Sequence, residues 1–211
     1  MISSAYGFIF LHAPKTAGNS MQLVLQPFSD DRISRIRGRD PTQQFGLKGP
    51  VTTKKHAKLQ DYARRLGSDL AGRRVVIATR DPVMRAVSLY FSPHFWQRPG
   101  AEGETRLTKP SWDLERFLGT LERMDRLVDF LLVDGALRKP DMVIRYEQLA
   151  SDFEAFARTM GLPIGASDLP HANASAAGED LHRAASRDPA VRTAVEARFA
   201  ADYEFLETIG R

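Results

Sequence analysis

Apolar and polar positions alternate between two rhythms along this chain, and the shortest apolar runs are the most informative. Residues 8–11, Phe-Ile-Phe-Leu, are apolar without interruption. Such a run predicts a central strand buried on both faces. A second run, Val75-Val76-Ile77-Ala78, predicts another strand over residues 73–79, and Met142-Val143-Ile144-Arg145 a third. Residues 51–54, Val-Thr-Thr-Lys, read as a further strand ending at Lys55-His56.

Between these runs the spacing changes to that of helices. Met21, Leu23, Val24 and Leu25 begin an apolar face after Asn19 and Ser20, two good N-cap residue types. Leu59, Tyr62, Ala63 and Leu66 share a face over residues 57–66, with Gly67 as the stop. Pro82 opens a helix through Val83, Ala86, Val87, Tyr90 and Phe91. Apolar positions from Leu114 to Leu132 predict helix over residues 112–137, with a break near Asp125. Further helices are predicted over residues 147–160, closed by Gly161, and over residues 189–206, with Val191, Val195, Phe199, Tyr203 and Leu206 as the buried stripe. Residues 93–111 and 162–178, punctuated by Pro and Gly, read as long loops. Strand and helix alternate, so the expected fold is α/β with a central parallel sheet flanked by helices, in one domain spanning residues 1–211.

Composition narrows the functional classes. The 30 basic residues exceed 26 acidic ones for a net charge of +4, which favours anionic ligands. The basic residues are scattered, so no nucleic-acid stripe stands out and no nucleic-acid partner is expected. The absence of cysteine excludes disulfides, thiol chemistry and cysteine-based zinc sites. No apolar run reaches the roughly 18 residues of a membrane span. No basic region with an apolar signal core opens the chain, and the expected compartment is the cytoplasm.

The candidate chemistry sits where predicted strands end. After residues 8–11 come His12-Ala13-Pro14-Lys15-Thr16-Ala17-Gly18-Asn19-Ser20. A turn opening into a helix aims N–H groups at one spot, a natural anion site, and Lys15 adds positive charge there. Gly18 permits a close approach to the backbone. This is not the common nucleotide loop G-x-x-x-x-G-K-[ST], because the lysine precedes the glycine. His56 follows the predicted strand at 51–54, where a histidine can act as a general base near neutral pH. Arg80 ends the strand at 73–79. Ser88 lies eight residues further, and together they suit one bound anion. Arg80 or Arg85 paired with Asp81 is the structural alternative.

Taken together, residues 10–20 resemble the 5′-phosphosulfate loop of sulfotransferases that use 3′-phosphoadenosine 5′-phosphosulfate, closest to the carbohydrate-type branch and its bacterial relatives. The stretch from Arg80-Asp81-Pro82 to Ser88-Leu89-Tyr90-Phe91 is similar to that family's 3′-phosphate motif. Val143-Ile144-Arg145-Tyr146-Glu147-Gln148-Leu149 and Leu169-Pro170-His171-Ala172-Asn173-Ala174-Ser175 also resemble family segments.

The resemblance implies a P-loop-like three-layer fold and transfer of a sulfuryl group to an acceptor hydroxyl, on a glycan or glycoconjugate, without a metal. It assigns Lys15 and the loop Thr16, Ala17, Gly18, Asn19 and Ser20 to the 5′-phosphate. Arg80 and Ser88 go to the 3′-phosphate, and Asn173 and Ser175 to closure over the nucleotide. Lys15 would also stabilise the leaving group, and His56 would remove the acceptor's proton. Asn19 departs from the family's usual threonine, and the C-terminal end lacks the usual Phe-Gly-Tyr. Two other classes compete: a P-loop-like ATP-dependent kinase, which the missing G-K-[ST] loop and the absence of an obvious magnesium carboxylate cluster disfavour, and a non-catalytic nucleotide-binding module, for which His56 would be dispensable.

Overall fold

A computed structural model describes residues 1–35, 45–99, 105–170 and 178–210. In chain order the strands and α-helices are β1 (Ile2–Ser3), β2 (Phe8–Leu11), α1 (Gly18–Leu25), β3 (Arg32–Arg35), β4 (Phe45–Lys48), α2 (Leu59–Leu66), β5 (Arg74–Thr79), α3 (Pro82–Tyr90), β6 (Gln97–Pro99), β7 (Thr105–Leu107), α4 (Leu114–Glu122), β8 (Leu132–Val133), β9 (Ala136–Leu137), β10 (Met142–Arg145), α5 (Leu149–Met160), α6 (Glu179–Arg187), α7 (Pro189–Arg198) and α8 (Ala200–Thr208). The chain divides into two compact units: Met1–Arg80 with Leu127–Asn173, and Asp81–Arg126 with Ala174–Arg211. Among the described residues no helix is long and apolar enough to cross a membrane.

The first unit holds a four-stranded sheet in the order β1-β2-β5-β10. The neighbours β2, β5 and β10 run parallel, with Phe10 opposite Val76 and Val76 opposite Met142. The short β1 is antiparallel to β2. This is an α/β fold with a central, mostly parallel sheet flanked by helices. One sheet face presents Phe8, Phe10, Val76, Ala78 and Ile144, which pack with Met21 and Leu25 of α1 and Phe153, Phe156 and Ala157 of α5. Phe8 and Phe156 meet edge to face at 5.3 Å. The opposite face carries Ile9, Leu11, Val75 and Ile77, also wholly buried. Burial of both faces is why these strands read as continuous apolar runs.

The expected strand at 51–54 does not form. Thr52 spends its hydroxyl on the Asp31 carboxylate at 2.8 Å and its carbonyl on the Gly49 amide at 3.0 Å, and the Lys54 carbonyl accepts from Ala57. Those turn bonds leave the segment no ladder, and the strands in this region are the antiparallel pair β3–β4. The predicted helix over 112–137 also stops early. Residues 132–137 form the β8–β9 hairpin, whose turn places Asp134 at φ 50 and Gly135 at φ 80, as a two-residue turn of this hand requires.

In the second unit, Arg198 donates to the Met124 carbonyl at 3.2 Å and Arg85 donates to the Asp125 carbonyl. Two guanidinium groups thus take carbonyls that a continuing α4 would have used. Asp81 caps α3 by accepting the Met84 amide at 2.9 Å, while Arg85 pairs with the buried Asp202 at 3.2 Å. The predicted helix over 189–206 breaks at Phe199, so that Asp202 and Tyr203 bond to the Phe199 carbonyl. Residues 93–111, read as a loop, contain the antiparallel pair β6–β7. Helix α6 went unforeseen, since its mostly polar sequence shows only a thin apolar stripe.

Candidate anion-binding site

The loop between β2 and α1 has an unusual backbone. Lys15 lies at φ 71 and Ala17 at φ 63, both left-handed and neither a glycine. Each such residue costs about 1–2 kcal/mol, so the loop holds strain of the kind that collects at ligand sites. Thr16, buried between them, donates its hydroxyl to the Ala13 carbonyl at 2.8 Å and so ties the turn. Ala17 is the N-cap residue, not Asn19 or Ser20, which fall inside the first turn of α1. The first intrahelical bond runs from the Met21 amide to the Ala17 carbonyl. The amides of Gly18, Asn19 and Ser20 therefore precede it, at the positive end of the helix. Backbone N–H groups in such a turn form a concave anion seat.

The close approach at Gly18 is made by the ring of His12. A Cβ on Gly18 would lie 1.9 Å from His12 Cδ2. Gly18→Ala should therefore be among the most damaging small substitutions, lowering stability by about 3 kcal/mol, at the upper end for overpacking. Chemical denaturation would read it, and a loss below about 1 kcal/mol would show that the ring can move aside.

His12 is buried and was not anticipated as part of the site. Its Nδ1 lies 2.9 Å from Gln22 Oε1, and Gln22 Nε2 donates to the Lys55 carbonyl at 3.3 Å. Because that carbonyl can only accept, the Gln22 amide orientation is set, and His12 must donate from Nδ1. His56 lies beside it, rings 4.4 Å apart, with His56 Nδ1 donating to the His12 carbonyl at 2.9 Å. In neutral His56 the lone pair is then on Nε2. Burial first, and then the neighbouring His56 and Lys55, hold the His12 imidazole well below its ordinary pKa.

Three cations meet around this loop. Arg80, just past β5, donates from Nη1 to the Lys15 carbonyl at 3.3 Å and stacks 3.9 Å above the Tyr146 ring, which follows β10. Lys55 places its ammonium 3.5 Å from the Phe45 ring centre. Burial, and then the Arg80 charge, lower the Lys15 pKa to about 8. Burial, and then the Lys15 charge, lower Lys55 to about 8 as well. Both causes act the same way, against the charged form.

The structure thus brings together Lys15, Thr16, Ala17, Gly18, Asn19, Ser20, His56 and Arg80, at the carboxyl ends of parallel strands where open α/β sheets bind ligands. Ser88 lies half-buried on α3 of the second unit. Asn173 and Ser175 fall outside the described residues. Lys55, Gln22 and Tyr146 joined the site unannounced. Lys55 directly precedes His56, and Gln22 interrupts the apolar run from Met21 to Leu25; these were the available signals. No family model matches the chain, and no curated protein or solved structure matches it.

Proposed function

We propose that this chain is a cytoplasmic sulfotransferase of P-loop-like three-layer architecture, moving a sulfuryl group from 3′-phosphoadenosine 5′-phosphosulfate to a hydroxyl of a glycan or glycoconjugate. The observation that carries the reading is the meeting of Lys15, Lys55 and Arg80 beside a histidine whose Nδ1 is bonded to a carbonyl. A donor with phosphates at two positions fits a seat with a strained amide turn at one place and a planar guanidinium at another. When bound, the donor supplies the sulfuryl group and a phosphate leaving group. The amides at the start of α1 and the Lys15 ammonium hold the 5′-phosphate and stabilise charge that grows there. Arg80, braced on Tyr146, holds the 3′-phosphate. His56 Nε2 takes the proton of the acceptor hydroxyl, and the resulting imidazolium keeps its Nδ1–H on the His12 carbonyl.

Calorimetric titration with adenosine 3′,5′-bisphosphate, without magnesium and beside ATP, tests the donor site. The bisphosphate should bind well, ATP poorly, and Arg80→Ala should weaken the bisphosphate about tenfold to a hundredfold, the worth of one or two charge-assisted hydrogen bonds. Equal or tighter binding of ATP, or indifference to Arg80, would sink the reading in favour of a kinase or a plain nucleotide-binding module.

A further inference from the structure

Gln22 is wholly buried on α1, yet both ends of its amide are engaged, one on the His12 ring and the other on the Lys55 carbonyl. His12 in turn offers its carbonyl to His56 Nδ1 and its ring to the His56 ring. The peptide that carries His56 is thereby gripped at two successive residues, Lys55 through its carbonyl and His56 through its ring. Among the described residues, 52–58 form no strand, and turn and side-chain bonds at Thr52, Lys54 and Lys58 flank the gripped pair. We propose that Gln22 and His12 are positioning residues, a clamp that fixes the ring orientation and tautomer of His56 and registers it against the helix whose N-terminus seats the anion. The role assigned to His56 rests on the sulfotransferase reading; the clamp itself rests on the three hydrogen bonds that join Gln22, His12, Lys55 and His56.

The geometry explains why an amide is used. A side chain that is only a donor or only an acceptor can hold His12 Nδ1–H or the Lys55 carbonyl, not both. Burying an unpaired amide end costs about 1–3 kcal/mol, so the pairing is enforced in both directions. His12 also stays neutral, its charged form opposed by burial and by the nearby cations. A proton taken by His56 therefore meets a neutral neighbour rather than a second imidazolium.

Histidine-selective nitrogen NMR of the whole chain, without ligand and at mildly alkaline pH, reads the clamp directly. In the wild type, His12 and His56 should both show the Nδ1–H tautomer. Gln22→Met has a similar volume and no amide; Gln22→Asn keeps the amide but is one methylene too short to span both partners. In each, His56 should move to the Nε2–H form that dominates in solvent-exposed imidazole. The asparagine variant carries the test should the methionine variant not fold. A residue that merely packs would lower the melting temperature and leave the His56 tautomer unchanged; that result in both variants would overturn the clamp. Calorimetry with adenosine 3′,5′-bisphosphate on the same proteins separates the two readings. Binding of the bisphosphate by the wild type reads the donor site, and the His56 tautomer alone reads the clamp. A tautomer change with no bisphosphate binding by the wild type would leave the clamp standing and remove the sulfotransferase reading.

Discussion

His56→Ala should lower sulfuryl transfer by about 10²–10⁴-fold, the range that a positioned general base contributes, and leave the affinity for adenosine 3′,5′-bisphosphate nearly unchanged. The separation follows from where the two functions sit. The proposed phosphate seat is built from the backbone of residues 17–20 and from Lys15 and Arg80, whereas His56 adjoins that loop through the His12 carbonyl and ring. Removing the imidazole takes away the lone pair on Nε2 without altering the loop. Transfer of labelled sulfate from labelled donor to a panel of hydroxyl acceptors, with binding calorimetry in parallel, reads both effects. A variant that transfers within a few-fold of wild type would show that the proton leaves by another route and that His56 is structural.

Lys15→Met should do two opposite things, weakening bisphosphate binding at least tenfold, as loss of a charge-assisted contact does, while making the unliganded protein more stable. The ammonium is held near pKa 8 in the fold against an ordinary 10.5. Keeping it charged at neutral pH therefore costs the folded state on the order of 3 kcal/mol. The sign is set by proton counting. Between about pH 8 and 10.5 the unfolded chain holds the proton and the folded chain does not, so wild-type stability rises with pH across that window; below it the full penalty applies. Methionine keeps the stem's packing and removes the charge, so its melting temperature should exceed that of wild type at pH 7 and the gap should close in alkali. A lower melting temperature at pH 7 would mean that Lys15 is already compensated.

The same protons govern binding. A phosphate seated among these lysines draws their pKa values upward, so binding should weaken from pH 7 to 9 and take up protons near pH 8. Calorimetry in buffers of different ionisation enthalpy measures that uptake.

The strands that carry the site were legible because burial on both faces leaves no polar position to confuse the period; β2, β5 and β10 begin and end within a residue or so of the apolar runs. Gly67 and Gly161 stop their helices at left-handed φ, the backbone a glycine supplies most cheaply. Elements set by tertiary hydrogen bonds were not legible. Nothing in Val51-Thr52-Thr53-Lys54 says that Thr52 will turn to Asp31, and nothing near Met124 says that distant arginines will take its carbonyls. In the site, the charged residues at strand ends stood out because their position alone implied a ligand. His12 and Gln22 did not, because their meaning lies in each other. A histidine after a strand and a glutamine in a helix are ordinary until the fold sets their polar atoms 2.9 Å apart.

The order of the strands also bears on the birth of the protein. Between β5 and β10 the chain leaves the sheet to make α3, β6, β7, α4, β8 and β9 before it returns. On a translating ribosome the whole lysine-bearing loop, His56 and Arg80 emerge well ahead of Tyr146, the ring on which Arg80 rests. The like charges of Lys15, Lys55 and Arg80 are therefore synthesised before the strand that closes the sheet can pair with Val76, Ile77, Ala78 and Thr79. Nascent chains arrested before residue 142 should lack the parallel β5–β10 ladder. Proteolytic fragments cut within residues 81–126 should hold together through that pairing, because the sheet is stitched from both sides of the cut.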